Sequence, residues 1–260
     1  MPRHSAGQAL GALVHEECKA ILRALRMPKA VHTRVHEARK AIRRARALLA
    51  LAEDGDAAFD VVPADQILQR VGDGLSKLRD AHAAMETAQA LAKHDDRKRW
   101  RPVVEALRER STALVARELK RDPGFARRQA TIAGAQHYLD RLPWGEFKST
   151  QLREGLRRQR RRVDKAARRA TRRPDAENLH RWRRKVRRLR MQVDAAPKLK
   201  PRDAQPDRTT TKSKSLHKLS DSLGHQQDLH VLAALLRRLP GITERPALRQ
   251  RLQELAQAPE

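Results

Sequence analysis

Cysteine is nearly absent from this chain, which has Cys18 and no other, so no intrachain disulfide can form. Its absence excludes the small disulfide-stapled folds and suits a reducing compartment. Because Cys18 lies in an apolar helical pattern, we predict a buried, unreactive thiol. Glycine is also scarce, with 11 residues in 260, which excludes collagen-like chains.

Long apolar runs and aromatic residues are missing as well. No stretch of about 18 apolar residues occurs, so the sequence predicts no membrane span. The first residues lack the apolar segment of a signal peptide, and we therefore expect a cytoplasmic protein. Aromatic residues make up only 3% of the chain, which leaves few platforms for stacking nucleic-acid bases.

Positive charge, by contrast, is abundant. The chain has 58 Lys and Arg against 31 Asp and Glu, a formal net charge of +27. Such an excess repels itself in the compact state and favours a polyanionic partner, namely nucleic acid, an anionic membrane surface or a phosphate polymer. Residues 151–190 alone have 18 basic and four acidic side chains, which is about half of the excess.

The apolar pattern is helical almost throughout and predicts an all-α fold. Ala, Leu, Arg, Glu and Gln dominate, and the alternation typical of strands is absent. Gly and Pro punctuation places helices at about 5–26, 31–53, 62–92, 97–120, 124–141, 147–171, 176–196, 207–223, 225–239 and 245–257. The Pro-, Lys- and Thr-rich stretch 197–213 is the best candidate for a mobile loop.

The chain also contains an internal repeat. Residues 36–46, HEARKAIRRAR, match residues 180–190, HRWRRKVRRLR, at an offset of 144. Residues 68–82 match residues 216–230 at an offset of 148, with five identical positions. We call the match of 36–46 with 180–190 the first echo and the match of 68–82 with 216–230 the second echo. Because both occur in the same order, they indicate a duplicated helical unit. The division falls near 143–146 and gives halves at 1–143 and 144–260.

Each copy of the first echo presents a basic face about 120° wide, opposite an apolar face, at 100° per residue. Neither basic face contains an acid, whereas ordinary solvated faces mix charges to gain pairing across a helical turn. The repeated, unpaired stripe therefore predicts anion binding. The candidate residues are His36, Arg39, Lys40, Arg43, Arg44, Arg46, His180, Arg183, Arg184, Arg187, Arg188 and Arg190.

For some residues in or near the basic faces, the sequence is compatible with more than one role. His36 and His180 are structural hydrogen-bonding residues, phosphate contacts or, least favoured, catalytic groups. Four further basic residues either extend the cationic binding surface or only keep the protein soluble. They are Arg70 and Lys218, which are equivalent in the repeat, and Arg157 and Arg161, which lie on one stripe.

A second pattern pairs an Asp with a His two residues later, at Asp80 and His82 and at Asp228 and His230. Residues two apart on a helix point about 160° away from one another, so this pattern does not indicate a metal site. We interpret Asp80 and Asp228 as acceptors that hold basic side chains. We expect neither a metal nor a cofactor.

The motifs V-H-x-x-R-K-x-x-R-R-x-R at 35–46 and L-H-x-x-R-R-x-x-R-R-L-R at 179–190 resemble the CHAD family, the conserved histidine α-helical domain. The segments that end at His82 and His230 extend the resemblance over about 10–260. It implies two four-helix bundles related by pseudo-twofold symmetry around a basic central cavity. It also implies binding of inorganic polyphosphate and, in some bacterial members, association with polyphosphate granules. Many relatives carry a triphosphatase-type domain, which these residues lack, so the resemblance implies a stand-alone member.

Two departures from the family pattern stand out. Gln227 takes the place that Arg79 has in the first copy, and Lys185 interrupts the apolar back of its helix. The two halves are therefore expected to contribute unequally.

The leading hypothesis is a non-catalytic polyphosphate-binding protein, and the alternative is a nucleic-acid-binding protein. Few aromatic residues, no nucleic-acid-binding motif and almost no Asn or Gln on the basic faces favour polyphosphate. An enzyme that uses His36 or His180 is less favoured, because phosphoryl transfer usually requires Mg²⁺ held by carboxylates or a P-loop. An anionic membrane-surface binder is the least favoured, since the stripes lack flanking aromatic residues other than Trp182.

Overall fold

The computed structural model describes residues 5–53, 59–199 and 209–257. In these residues it contains ten α-helices and no β-strand, which confirms the all-α prediction. The helices are α1 (Ala6–Arg26), α2 (Val31–Leu49), α3 (Val62–Gly74), α4 (Ser76–His94), α5 (Arg97–Arg121), α6 (Ala126–Asp140), α7 (Ser149–Arg172), α8 (Ala176–Leu199), α9 (Thr209–Leu236) and α10 (Arg245–Gln257), with short 3₁₀ turns at Pro123–Phe125 and Trp144–Glu146.

Helix α1 shows how the apolar period builds the core. Ser5 and Gln8 cap its first turn reciprocally, which satisfies two backbone N–H groups that the helix leaves free. Helical spacing then buries one stripe completely, including Leu10 and Cys18. Burial raises the pKa of the Cys18 thiol to about 12, so the prediction of a buried, unreactive cysteine is confirmed.

The helix predicted over 62–92 is in fact two helices, α3 and α4, that meet at Leu75. Gly72 and Gly74 weaken the helix there, at a cost of about 1 kcal/mol each. Side chains satisfy the carbonyl groups at the break: Arg39 donates to the oxygen of Gly72, and Arg128 Nη2 donates to that of Gly74 at 3.4 Å. The break is therefore a stable feature that also anchors Arg39.

The reverse correction applies to the second copy. The sequence predicts a helix break at Leu223–Gly224, but α9 continues through these residues without interruption. Ser220 and Ser222 stand where the first copy has its two weakening glycines. A single glycine costs the helix only about 1 kcal/mol, which the packing of α9 against α8, α4 and α10 offsets.

Packing brings the helices of the two echoes together. Helix α2 lies directly against α8, and α4 lies directly against α9. The two basic helices are therefore neighbours in the fold, whereas the subdivision into two bundles and the boundary near 143–146 remain predictions. Most of the predicted loop 197–213 lies outside the described residues, and its ends belong to α8 and α9.

Candidate polyanion-binding site

A cationic cavity of about 520 Å³ lies between α2, α7 and α8. Ten of its fourteen lining residues are Arg or Lys and none is acidic, so the cavity favours an anion over any other ligand. The cationic lining residues are Arg43, Arg46, Arg162, Lys165, Arg169, Arg181, Arg184, Lys185, Arg187 and Arg188. The others are Gln69, Ala166, Asn178 and Met191.

Arg43 of α2 and Arg187 of α8 bring the two basic faces together in this cavity. Burial is the main cause that lowers their pKa values, to about 10 for Arg43 and about 9 for Arg187. Neighbouring guanidinium groups, first Arg39 for Arg43 and first Arg43 for Arg187, lower them further. Both side chains are therefore held where positive charge is unfavourable unless an anion arrives.

No described residue pairs with either side chain to offset this cost. Among the described residues, Arg43 and Arg187 make no hydrogen bond or ion pair, and Nε of Arg43 is buried without an acceptor. The apolar backs of their helices, with Ala41 and Val186 fully buried, fix the two faces in this position. A buried donor without an acceptor is costly, and Arg43 lines the cavity together with Arg187, so both guanidinium groups are available to a bound anion.

Two carboxylates lie beside the next arginines of each stripe. Asp80 of α4 raises the pKa of Arg39, and Asp228 of α9 raises that of Arg183, although burial lowers both overall. No ion pair within 4.0 Å joins either pair in the described residues. Burial raises the pKa of Asp80, and Asp228 adds to this effect. The carboxylates therefore act on the arginines electrostatically, without a direct ion pair. This agrees with the interpretation that Asp80 and Asp228 favour basic side chains, but not with their role as direct acceptors.

Acids from other helices neutralise several residues of the stripes. Glu17 of α1 accepts from Arg44 Nε at 2.7 Å. Arg46 makes two parallel hydrogen bonds to Asp65 of α3, at 2.8 and 2.9 Å. Arg190 Nη1 lies 3.2 Å from Asp221 of α9. The faces are acid-free in sequence but not in the folded chain, and this tertiary pairing distinguishes these arginines from Arg43 and Arg187.

The two histidines of the echoes have unequal surroundings. His180 Nδ1 lies 2.8 Å from the side-chain oxygen of Gln227, whereas His36 lies near Arg79, the equivalent residue of the first copy. Burial lowers the pKa of both histidines, and nearby basic residues lower each further. Neither histidine lines the cavity. The expected inequality of the halves is thus visible at this position.

Helix α7 supplies lining residues that sequence reasoning missed, namely Arg162, Lys165 and Arg169. Their spacing of three and four residues places them on one face of the helix, which was the available signal. The stripe that the sequence favours on this helix contains Arg157 and Arg161, which are exposed and do not line the cavity.

Four further basic residues differ in whether they line the cavity. Arg70 and Lys218 are exposed, as is Lys40, and none of the three lines the cavity. Lys185 does line it, and burial together with Arg188 lowers the pKa of its ammonium. The residue that interrupts the apolar back of α8 therefore contributes charge to the site.

The described residues contain no group of three or more His, Cys, Asp or Glu side chains arranged to hold a metal ion. In the same part of the chain, no helix is both long and apolar enough to cross a membrane.

The model of the CHAD domain matches residues 8–237. The crystal structure of the CHAD domain from the plant Ricinus communis superposes with a TM-score of 0.74 at 19% sequence identity, covering 97% of this chain and 86% of that one. At this identity the likeness shows a shared fold. A search of curated proteins gives no significant match.

Proposed function

Since the chain belongs to the CHAD domain family, we propose that it binds inorganic polyphosphate in the cationic cavity, without catalysing a reaction on it. The observation that carries the proposal is the unpaired arginine pair, Arg43 and Arg187, inside a lining that contains no acid. An incoming phosphate supplies both the missing acceptors and the missing counter-charge.

The lining also suits a ligand with many phosphates in a row. Guanidinium groups grip phosphate oxygens through two parallel hydrogen bonds. Cations from three helices line one continuous cavity, so a chain anchored at Arg43 and Arg187 can reach Arg184 on α8 and then Lys165 and Arg169 on α7. A single phosphate uses only part of this set.

The chemistry of the lining supports binding rather than catalysis. A guanidinium group stays protonated in neutral solution and does not serve as a general base. His36 and His180, the residues best suited to accept a proton or a phosphoryl group, do not line the cavity. The family resemblance extends the proposal to the cytoplasm and to polyphosphate granules, where a fluorescent fusion of this chain should co-localise with a polyphosphate stain.

Competition between two polymers tests the ligand class. The protein is titrated with long-chain polyphosphate and with duplex DNA at equal phosphate concentration, and each polymer is then used to displace the other. We expect polyphosphate to bind more tightly and to displace DNA. Tighter binding of DNA would overturn the proposal in favour of a nucleic-acid-binding protein, and absence of binding to either polymer would refute both.

A further inference from the structure

The cations of the cavity fall into two groups that differ in their protein partners. Arg43 and Arg187 have none among the described residues. Three others are already held by carboxylates: Arg181 by Glu177 of the same helix, Arg46 by Asp65 through a pair of hydrogen bonds, and Arg162 by Glu53 at 2.6 Å.

One more cation of the lining, Arg188, lies close to both Asp65 and Glu53. Burial and the nearby Arg46 lower the pKa of Arg188, whereas Asp65 and Glu53 raise it. Arg188 lines the cavity beside Arg187 in the sequence of α8. The carboxylates come from different parts of the chain, Asp65 from the first turn of α3 and Glu53 from the residues that follow α2, yet they act on the same arginine.

We propose that Glu53 and Asp65 are specificity-determining residues that limit the length of polyanion the cavity holds. They do so as built-in competitors that occupy Arg46 and Arg162 and partly neutralise Arg188. The inference rests on the proposed polyphosphate function and adds to that site a limit on the length of the bound chain. A ligand first meets the unpaired arginines and gains further contacts only by displacing a carboxylate.

This boundary follows from the chemistry of tethered groups. A carboxylate attached to the same chain has a high effective concentration and competes with any dissolved anion for its arginine. A phosphate that displaces it gains one charge-assisted interaction and gives up another, so the net gain is small. Additional phosphates therefore add little affinity once the chain reaches these arginines.

The dependence of affinity on salt reports the number of phosphates that the protein neutralises, at a slope of about −0.7 per phosphate for a single-stranded polyanion. The test compares the wild type with Glu53→Gln/Asp65→Asn, using long-chain polyphosphate and calorimetric titration over a range of salt concentrations. We expect the slope of the variant to be steeper by about 1.4 to 2.1, for two to three newly available arginines. We also expect its affinity to go on rising at chain lengths where that of the wild type is level.

The matched control is Glu244→Gln/Glu254→Gln. These two carboxylates pair with Arg99 and Arg251, which do not line the cavity, so the control has the same gain in charge without freeing an arginine of the site. An equal steepening in the control would show a general charge effect and overturn the proposal. An unchanged slope in the cavity variant would overturn it as well.

Asp65 also stabilises the first turn of α3, so the single variant Glu53→Gln is measured beside the double variant. It frees Arg162 and should steepen the slope by about 0.7. Weaker binding by a variant that keeps its helical circular dichroism would assign the carboxylates a positioning role and refute the proposal. If the wild type itself does not bind polyphosphate, the proposed function fails, which is a separate and distinguishable outcome.

Discussion

Arg187 on α8 lies beside Arg43 on α2, and after burial this neighbouring charge is the strongest cause that lowers the pKa of Arg187, to about 9. Two like charges are thus held together by the packing of two helices whose apolar faces are buried. The same pair has no acceptor among the described residues. The arrangement is unfavourable for the free protein and favourable for a complex with an anion, so binding and stability should respond to it in opposite directions.

Charge reversal of the pair should abolish binding. In Arg43→Glu/Arg187→Glu the two charge-assisted contacts are lost, at about 1.5–3 kcal/mol each, and repulsion is added. We expect the affinity for polyphosphate to fall by at least about 100-fold, measured by calorimetric titration, while the helical circular dichroism signal persists.

The control for this experiment is Arg117→Glu/Arg127→Glu, which makes the same change in net charge at exposed positions on α5 and α6, outside the cavity. Its affinity should fall only slightly. Equal losses in the two variants would mean that the whole surface, and not the cavity, attracts the polymer.

Neutralising the pair should stabilise the free protein. In Arg43→Gln/Arg187→Gln the buried like charges are removed and the side chains keep much of their volume. Replacing buried charges by neutral groups often stabilises a protein, and we expect a gain on the order of 1 kcal/mol in the free energy of unfolding. Thermal denaturation without ligand measures it, and a lower midpoint than in the wild type would contradict the account of strain at this pair.

Lys165 and Arg169 on α7 should contribute to binding. We expect Lys165→Glu/Arg169→Glu to weaken polyphosphate binding about 10-fold or more, because both residues line the cavity. Arg161→Glu/Arg168→Glu serves as the matched control on the same helix, since both residues are exposed and neither lines the cavity. Titration of both variants under the same salt conditions decides between them, and a larger loss in the control would move the site to the outer surface of α7.

Helical periodicity and the repeat predicted most of the fold. The pattern of buried residues in α1 follows directly from the sequence, and the adjacency of α2 and α8 follows from the two echoes. Local sequence does not predict the break at Leu75, because the break depends on Arg39, a residue distant in sequence that donates to the carbonyl of Gly72. For the same reason the continuity of α9 at Gly224 is a result of packing, which local propensity does not contain.

The candidate site was predicted less completely. Phase along the helix identified Arg43 and Arg187, since their position on one face depends only on spacing. It could not separate them from Arg44 and Arg46, because the carboxylates of Glu17 and Asp65 that neutralise those residues come from other helices. Tertiary pairing, rather than the charge of a stripe, decides which arginines remain available to a ligand.

Acidic pH should act in opposite directions on stability and on binding. Burial lowers the pKa of His36 and His180 below the ordinary value of 6.5, so the folded protein binds fewer protons than the unfolded chain just below that pH. The free protein should therefore lose stability as the pH falls from neutral through the ordinary histidine pKa of about 6.5. Protonated histidines beside the cavity attract phosphate, so affinity for long polyphosphate should rise over the same range.

Thermal denaturation and titration at each pH measure the two effects. The matched variant His36→Gln/His180→Gln should respond less to pH in both experiments. Long chains are used because their internal phosphates remain ionised throughout. Falling affinity of the wild type on acidification would contradict the predicted influence of the two histidines.

Chain length and divalent ions provide the last prediction. Once one phosphate is anchored at Arg43 and Arg187, the next ones bind at a high effective concentration, so long chains should bind more tightly than triphosphate. Affinity should become level when the chain fills the cavity. Mg²⁺ at millimolar concentration should weaken binding, because it competes with the guanidinium groups for the same phosphate oxygens and the cavity lining offers it no carboxylate. Calorimetric titration with chains of graded length, in the presence of Mg²⁺ or of a chelator, tests both expectations. A requirement for Mg²⁺, or equal affinity for triphosphate and long chains, would argue against an arginine-lined site that binds the polymer directly and would favour an enzyme that acts on it.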